Sequence, residues 1–301
     1  MIRFEQLLNR MYLMKDTFIP MDDEQFKLVQ NTGFEMFQII NDICRKHNLS
    51  LMLGFGSALG AVRHKGFVPW DDDIDVLMPR KDYDLFISLC DKELPSNMIV
   101  YASGSKNGPE VRYAKIVNKD FKVFPEGGNE LSNLVCLDVM PLESYGDNVL
   151  IRKIKWALYL LISTAATTTR LWHDRSQDTD YRYLMKLTKK GAFEYYIRIV
   201  IGFFFSFMSY KKWLMIADGW FKNAKKTSKV FIPSIFINTN PIDINIMLPP
   251  SIGEFEGIQV PIPNNAEKYL VFQYGDWKKL PPEEKRRQHL FYRKKAPTNK
   301  R

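Results

Sequence analysis

Residues 56–75 read GSALGAVRHKGFVPWDDDID, a glycine-serine turn followed at its end by a run of aspartates. The apolar residues 51–53 just before it are typical of a short strand, and residues 57–62 predict one or two helical turns with Ser57 at or near the N-cap. Glycine lets the backbone approach a ligand closely, and the first free N–H groups of a helix point toward a bound anion. Gly56 and Ser57 are therefore predicted to bind a phosphate, with an ordinary turn as the alternative.

The aspartates that close this stretch predict a metal site. Residues 71–78, DDDIDVLM, read as a loop that becomes a strand, and side chains alternate along a strand. Asp73 and Asp75 should therefore share one face while Ile74 points into the core. Two adjacent carboxylates repel each other unless a cation holds them, and hard oxygen ligands favour Mg²⁺ or Mn²⁺. A solvated acidic loop is the alternative, whereas an EF-hand is excluded because its sixth position would be Val76 rather than glycine.

A third carboxylate, Asp138, stands in the middle of the apolar run LVCLDVMP at residues 134–141. A charge within a buried strand needs a partner, although an aspartate facing solvent from an edge strand would fit the same pattern. A Gly-Ser turn, a strand with Asp-x-Asp and a later strand with one aspartate together outline the nucleotidyltransferase fold. We therefore expect an α+β fold: a nucleotidyltransferase-like mixed β-sheet with flanking helices, plus a helical, basic insertion.

The sequence also resembles a known family. Residues 60–84, GAVRHKGFVPWDDDIDVLMPRKDYD, resemble the signature of the LicD family of phosphocholine transferases, which includes the fukutin-like proteins. The segment LDVMPL at 137–142 is similar to the family's second block, and residues 255–289 are similar to its C-terminal block. The resemblance covers residues 26–290, with a gap at 150–229 that leaves the choice of acceptor open.

This resemblance implies a phosphotransferase that moves a phosphocholine-like group from CDP-choline or a related CDP-alcohol to a hydroxyl of a cell-surface glycan or glycolipid, as in lipopolysaccharide biosynthesis, and releases CMP. Asp73 and Asp75 would hold Mg²⁺ or Mn²⁺, and the acceptor would be a glycan or lipid-linked saccharide. Asp138 would hold a second metal ion or deprotonate the acceptor hydroxyl, so these three aspartates are the predicted catalytic and metal-binding residues. The predicted residues for substrate and phosphate binding are Gly56, Ser57, Arg63, His64, Lys65, Trp70 and Lys115.

Several roles stay open at this point. Trp70 directly precedes the carboxylates and could hold the choline cation, stack on cytosine or pack in the core. Asp276 and His289 belong to the similar C-terminal block but have no predicted role. A glycosyltransferase with a D-x-D motif, using a nucleotide sugar, is the alternative enzyme, but it does not explain the Gly-Ser turn or Asp138. A non-catalytic interaction protein is the other alternative, and the intact carboxylates argue against it.

The composition predicts a cytoplasmic, globular protein. The chain has 301 residues, of which 46% are hydrophobic and 26% charged, enough to bury a large core. The three cysteines lie in apolar settings without a C-x-x-C pair, which is typical of reduced core residues. Residues 1–20 lack the continuous apolar core of a signal peptide.

The net charge of +9 is concentrated in two segments. Residues 150–230 hold sixteen Lys/Arg against five Asp/Glu, and residues 285–301 hold eight basic residues and no acidic one. We divide the chain into a nucleotidyltransferase-like core (1–149), a basic and apolar helical module (150–230), and a C-terminal part with a basic tail (231–301) that completes the catalytic domain. An anionic partner is expected. Nucleic acid is not, because the basic residues lack a recognisable module and interleaved aromatics.

Two apolar stretches of the helical module, residues 156–162 and 199–208, are too short to span a bilayer. The basic residues that flank them are Arg152, Lys153, Lys155, Arg198, Lys211 and Lys212. Short apolar helices with basic flanks suit a membrane interface, which predicts contact with an anionic membrane surface and a peripheral position on its inner face. Packing of the same helices onto the core is the alternative.

Periodicity and turn signals place the remaining elements. Helices are predicted at residues 22–47 and from 80 to 89, and strands near 98–101, 112–118, 122–124 and 135–139. Residues 126–129, EGGN, are predicted to form a loop at the mouth of the site.

Overall fold

The computed structural model describes residues 4–124, 131–144, 148–222, 227–232 and 241–294. The loop predicted at residues 126–129 and the end of the basic tail at 295–301 lie outside the described residues. The described chain combines helices with a mixed β-sheet, so the predicted α+β class is confirmed.

A five-stranded sheet forms the centre of the fold. Strand β1 (Phe18–Pro20) lies outside it, and the sheet consists of β2 (Met52–Leu53), β3 (Ile74–Pro79), β4 (Met98–Tyr101), β5 (Ala114–Lys122) and β6 (Leu134–Leu142). The order is β2-β3-β6-β5-β4, in which β3 and β6 are parallel and the other neighbouring pairs are antiparallel. The parallel register places Asp75 directly beside Asp138.

The helix predicted at residues 22–47 is confirmed as α2 (Asp23–Lys46), which follows α1 (Phe4–Leu13). Asp22 caps its start, because the Asp22 carboxylate accepts the Gln25 N–H while the Gln25 side chain accepts the Asp22 N–H. The buried face of the helix includes Val29, Phe37, Ile40 and Cys44. Local sequence signals therefore suffice for this element.

The start of the helix after β2 differs from the prediction. This helix, α3 (Phe55–Arg63), begins two residues earlier than expected, with Gly54 as its N-cap and Ser57 inside the first turn. Phe55 takes a left-handed φ of 39°, and its N–H donates to the Tyr269 hydroxyl at 3.0 Å. A contact from the far end of the chain thus fixes the first turn of the helix.

Two further boundaries also differ. Helix α4 (Arg80–Glu93) continues past the predicted end at residue 89. Residues 122–124 do not form a strand of their own, because Lys122 ends β5 after a shift in the pairing register. Val123 instead donates its N–H to the Asn133 carbonyl at 2.9 Å, which joins the end of β5 to the approach to β6.

The helical module consists of α5 (Val149–His173), α6 (Asp180–Lys186), α7 (Lys189–Phe205) and α8 (Tyr210–Lys222). The apolar residues 156–162 belong to the 25-residue α5 rather than to a separate short helix. Across the described ranges, no single helix has the length and apolar character needed to cross a membrane; α7 and residues 210–220 of α8 meet the criterion only together, as a pair bent by 81°.

A buried ion-pair network attaches the module to the sheet. Arg80, the first residue of α4, pairs with Glu143 just after β6, with Asp218 of α8 at 2.9 Å and with Asp84 at 3.0 Å. Burial lowers the pKa of Arg80, but the charges of Glu143 and the two aspartates outweigh it and raise the pKa above its ordinary value. Such a network is costly to break one partner at a time.

The C-terminal part packs into the same core as the sheet. It contains β7 (Lys229–Val230), β8 (Ile242–Asp243), α9 (Ile244–Met247), the hairpin of β9 (Ser251–Phe255) and β10 (Ile258–Ile262), α10 (Ala266–Tyr274), and β11 (Phe291–Arg293), which pairs with β1. Phe255, Tyr269 and Leu270 are fully buried in the hydrophobic cluster that contains the inner residues of β3 and β6. The end of the chain therefore lies against α3, beside the predicted site.

Candidate active site

The start of α3 positions the start of β3. The Asp75 N–H donates to Ser57 Oγ at 2.9 Å, and the Asp75 carbonyl accepts the Gly54 N–H at 2.8 Å. The Ser57 hydroxyl thus holds the backbone of Asp75 and still has its own proton to donate. A Cβ at Gly56 would overlap the Asp71 carboxylate, so the glycine makes room for Asp71 against the first turn of α3.

Three ionisable side chains lie side by side across β3, β6 and β5. The strand register pairs Asp75 with Asp138, and Asp138 with Lys115. Lys115 Nζ lies 2.7 Å from Asp138 Oδ1 and 3.2 Å from Cys136 Sγ, and the Tyr113 hydroxyl also bonds to Asp138. Burial lowers the pKa of Lys115, but Cys136 and Asp138 outweigh it and raise the pKa well above its ordinary value. Lys115, predicted to bind phosphate, is therefore charged and bonded to Asp138.

The carboxylates around the start of β3 form one crowded cluster. Burial is the main cause that raises the pKa of Asp71 and Asp75 well above the ordinary value and the pKa of Asp73 to about 6. Neighbouring aspartates add to each shift, and Asp138 contributes to those of Asp73 and Asp75. The structure therefore brings the three predicted catalytic aspartates together, in a setting where a bound cation would relieve the repulsion.

Two residues without a predicted role, Asp72 and His289, also belong to this cluster. Ligand atoms of Asp71, Asp72, Asp73 and His289 all lie within 4.8 Å of one another, so this group could hold a metal ion. The buried Asp72 carboxylate accepts the N–H groups of His289 at 2.9 Å and Leu290 at 3.1 Å. The sequence had indicated His289 only through the similarity of its C-terminal block. His289 lies 217 residues from Asp72, so no local pattern links the two residues.

The protonation of His289 follows from its neighbours. Burial lowers the pKa of His289, but the hydrogen bond to Asp72 and the charges of Asp72, Asp73 and Asp71 outweigh burial and raise the pKa to about 9. A protonated imidazole cannot give a lone pair to a metal ion. In this state His289 is itself a cation among the aspartates, and a metal ion that used it as a ligand would have to displace its proton.

Arg63, His64 and Lys65, the predicted phosphate-binding trio, lie in different settings. Arg63 donates from Nε to His64 Nε2 at 2.9 Å and from Nη1 to the Trp277 carbonyl at 2.7 Å. Burial and the charge of Arg63 lower the pKa of His64, so this imidazole is neutral and accepts at Nε2. Lys65 is exposed, with φ at 60°, and its carbonyl accepts the Glu256 N–H at 2.9 Å.

Trp70 already has a cation against its ring. Its side chain is half-buried against the core, and Arg286 Cζ lies 5.5 Å from the ring centroid. The contact is a cation–π interaction within the chain. Packing, one of the three roles left open for Trp70, is therefore present in the structure, while a contact with choline or cytosine stays a prediction.

Comparison with known proteins finds a family model that matches the residues around β3 and β6. Residues 48–144 match the family described as LicD/FKTN/FKRP, nucleotidyltransferase domain. The predicted resemblance is confirmed, and Asp73, Asp75 and Asp138 all lie within the matched residues.

The similarity to one relative extends beyond these matched residues. Over 264 residues the chain is 26% identical to the lipopolysaccharide cholinephosphotransferase LicD of Haemophilus influenzae, covering 82% of this chain and 89% of the relative. Uncharacterized proteins of Rickettsia prowazekii and Rickettsia typhi are 32% and 28% identical over 71 residues, which is 22% of this chain and 27% and 23% of theirs. The Haemophilus relative supports the predicted enzyme class, a transferase of phosphate-containing groups.

Proposed function

We propose that this chain transfers a phosphocholine-like group from CDP-choline or a related CDP-alcohol to a hydroxyl of a cell-surface glycan or glycolipid. The acceptor oxygen forms a bond to the phosphorus that carries the alcohol, the bond from that phosphorus to the bridging oxygen breaks, and CMP leaves. The observation that carries the proposal is the cluster of Asp73, Asp75 and Asp138 in a chain similar over most of its length to a lipopolysaccharide cholinephosphotransferase.

The carboxylates at the start of β3 suit a divalent cation. Asp73 and Asp75, with Asp71 beside them, offer the oxygen donors that Mg²⁺ or Mn²⁺ prefers. Their raised pKa values support this role, because a cation offsets the repulsion that burial intensifies. When bound, the cation would neutralise charge on the diphosphate and on the departing CMP.

The remaining steps use side chains of the chain itself. Asp138 takes the proton from the acceptor hydroxyl, and Lys115 at 2.7 Å, together with Tyr113, orients its carboxylate. The Ser57 hydroxyl donates to a phosphate oxygen while its own oxygen holds the Asp75 backbone. Arg63 binds a further phosphate oxygen with Nη2, the guanidinium nitrogen that bonds to neither His64 nor the Trp277 carbonyl.

The test is incubation of the protein with Mg²⁺ and a panel of CDP-alcohols and UDP-sugars, followed by identification of the released nucleotide. Release of CMP from a CDP-alcohol, greatly increased by a glycan acceptor, is the expected result. Release of UDP from a nucleotide sugar would instead establish the glycosyltransferase alternative. Release of neither nucleotide with any acceptor would contradict an enzymatic role.

The proposed location is the cytoplasmic side of a membrane, with the helical module against its inner face. Helix α7 presents an exposed apolar stripe that repeats every three or four residues and continues just past its end: Phe193, Tyr196, Ile197, Val200, Phe203, Phe204 and Phe207. Exposed lysines flank the stripe, Lys189 and Lys190 before it and Lys212 after it. An apolar helix face with basic flanks suits the interface of an anionic bilayer.

Phe204 provides a direct test of this surface. It is 69% exposed, so insertion into a bilayer would bury about 140 Å² of a side chain of roughly 200 Å². Even half of the free energy expected for that area corresponds to about a tenfold change in binding affinity. Phe204→Ser should therefore weaken binding to anionic vesicles at least about tenfold, whereas Ile252→Ser, at a site on β9 that is 64% exposed, should not. High salt should weaken vesicle binding by both variants. Equal binding by both variants, or no binding by the wild type at low salt, would contradict this location.

A further inference from the structure

The segment from Pro281 to Leu290, here called the C-terminal strap, is fixed against the carboxylate cluster at several points. The Gln288 side chain accepts the Met21 N–H at 3.0 Å and donates to the Met21 carbonyl at 3.2 Å. The His289 and Leu290 N–H groups donate to the buried Asp72 carboxylate. The strap is thus part of the wall of the site, although it lies more than 200 residues from the aspartates in the sequence.

Within the strap, only part of the Arg286 guanidinium is engaged in contacts with other described residues. Its Nε donates to the Pro281 carbonyl at 2.8 Å, and its Cζ lies 5.5 Å from the ring centroid of Trp70, the residue that precedes Asp71. These two contacts fix the plane of the guanidinium. They leave its two terminal nitrogens available for a ligand, since within the described ranges no hydrogen bond engages them.

A second arginine lies close by and also keeps an unused donor. Arg63 bonds to His64 and to the Trp277 carbonyl, while its Nη2 is buried and has no hydrogen-bond partner among the described residues. Burial lowers the pKa of Arg63, Tyr274 opposes that shift, and the positive charge of Arg286 adds to it. A buried donor without a partner is costly, and two adjacent guanidinium groups repel each other, so an anion between them would satisfy both.

The position of this pair suits an anion that also contacts a metal ion. No carboxylate in the described part of the chain forms an ion pair with Arg63 or Arg286, although the aspartate cluster is near. Tyr274 interacts with both groups: burial and the nearby Tyr269, Asp71 and Asp75 raise its pKa, and Tyr274 in turn opposes the lowering of the Arg63 pKa. A diphosphate could therefore direct oxygens toward the carboxylate-bound cation and toward the arginines at the same time.

We infer that Arg286 of the C-terminal strap, together with Arg63, forms a binding site for the diphosphate of the nucleotide donor. The identification of the bound anion as the donor's diphosphate rests on the proposed function, whereas the binding of a phosphate-type anion does not. Arg286 binds the anion in this account, and the strap positions Arg286. The C-terminal part thus supplies a substrate-binding residue to the site.

The experiment compares Arg286→Gln with Lys285→Gln, a matched control that removes the same charge from the exposed neighbouring residue. Calorimetry at low salt measures the affinity of each protein for inorganic pyrophosphate. We expect Arg286→Gln to bind it roughly 10- to 100-fold more weakly than the wild type, as for loss of a charge-assisted hydrogen bond, and Lys285→Gln to stay within about twofold. Arg286→Lys should recover only part of the affinity, because lysine lacks the planar fork.

Equal affinities of the two Gln variants, or no pyrophosphate binding by the wild type, would overturn the inference. Mn²⁺ affinity serves as a control for the position of the strap, since loss of Arg286 should not weaken it. An equal fall in Mn²⁺ and pyrophosphate affinity would show that Arg286 acts only through the strap, which also overturns the inference. The proposed function fails separately: normal pyrophosphate binding through Arg286 without CMP release would leave the anion site standing and refute the reaction.

Discussion

Replacing Asp73 with asparagine should stabilise the metal-free protein at neutral and higher pH. Burial is the main cause that raises the pKa of Asp73 to about 6 from an ordinary value of 3.8, and the charges of Asp72 and Asp138 add to it. This difference corresponds to roughly 3 kcal/mol of unfolding free energy lost when the carboxyl ionises in the folded state. Since Asp73 also hydrogen-bonds to Asp71 and shares its cost with the cluster, we expect Asp73→Asn to gain about 1–3 kcal/mol.

The pH dependence has a definite sign. Because the pKa of Asp73 is higher in the folded than in the unfolded chain, the folded protein binds an extra proton between about pH 4 and pH 6. The cost is fully present above that window and disappears as the pH falls through it. The advantage of Asp73→Asn over the wild type should therefore be largest near pH 8 and close to zero near pH 4.

Urea unfolding in excess chelator, followed over this pH range, measures the difference. Asp42→Asn on α2 is the control, because its side chain is 76% exposed, and it should change the unfolding free energy by less than about 0.5 kcal/mol. Saturating Mg²⁺ should offset most or all of this gain, since a ligand at 100 times its Kd stabilises the wild type by about 2.7 kcal/mol. A variant that is less stable than the wild type in chelator, or a difference that does not change with pH, would refute the reasoning.

Two other predictions test the proton acceptor and the attachment of the helical module. Asp138→Asn should reduce turnover by about 100-fold or more while donor affinity stays within about twofold of the wild type; a parallel loss of donor affinity would place Asp138 among the metal ligands instead. Arg80→Met should lower the unfolding free energy by about 3–5 kcal/mol, because it removes the cation of the buried Glu143 and leaves Asp218 with only Lys222, at 3.6 Å. Urea unfolding beside the exposed Arg45→Met checks this, and an equal effect of the two changes would contradict a structural role for the network.

Elements with local signals could be predicted from the sequence. The capping residues and the apolar periodicity of α2 lie within the helix or next to it, so its predicted bounds agree with the structure to within one residue. The side-chain alternation of β3 placed Asp73 and Asp75 on one face, and the burial pattern of the strand agrees with it. The grouping of these aspartates with Asp138 depends on the parallel pairing of β3 and β6, which no local pattern in the sequence encodes.

Features that depend on distant contacts could not be predicted in this way. The start of α3 at Phe55 is set by the Tyr269 hydroxyl, 214 residues away. The ion pair between Lys115 and Asp138 depends on β5 lying next to β6, and strand order is not encoded in local periodicity. His289 reaches the cluster because Asp72 bonds to the backbone of the strap. In each case the sequence provides the residue, and the tertiary fold provides its partner.

Mg²⁺-dependent release of CMP from CDP-choline can be compared between the wild type and Asp75→Asn. Asp75 is the aspartate whose position is fixed on both sides, by Ser57 through its backbone and by the register with Asp138. Asp75→Asn should lower CMP release by about 100- to 1,000-fold, corresponding to roughly 3–4 kcal/mol of transition-state stabilisation, and chelator should abolish release by the wild type. Undiminished CMP release by folded Asp75→Asn, or by the wild type in excess chelator, would contradict the proposed function.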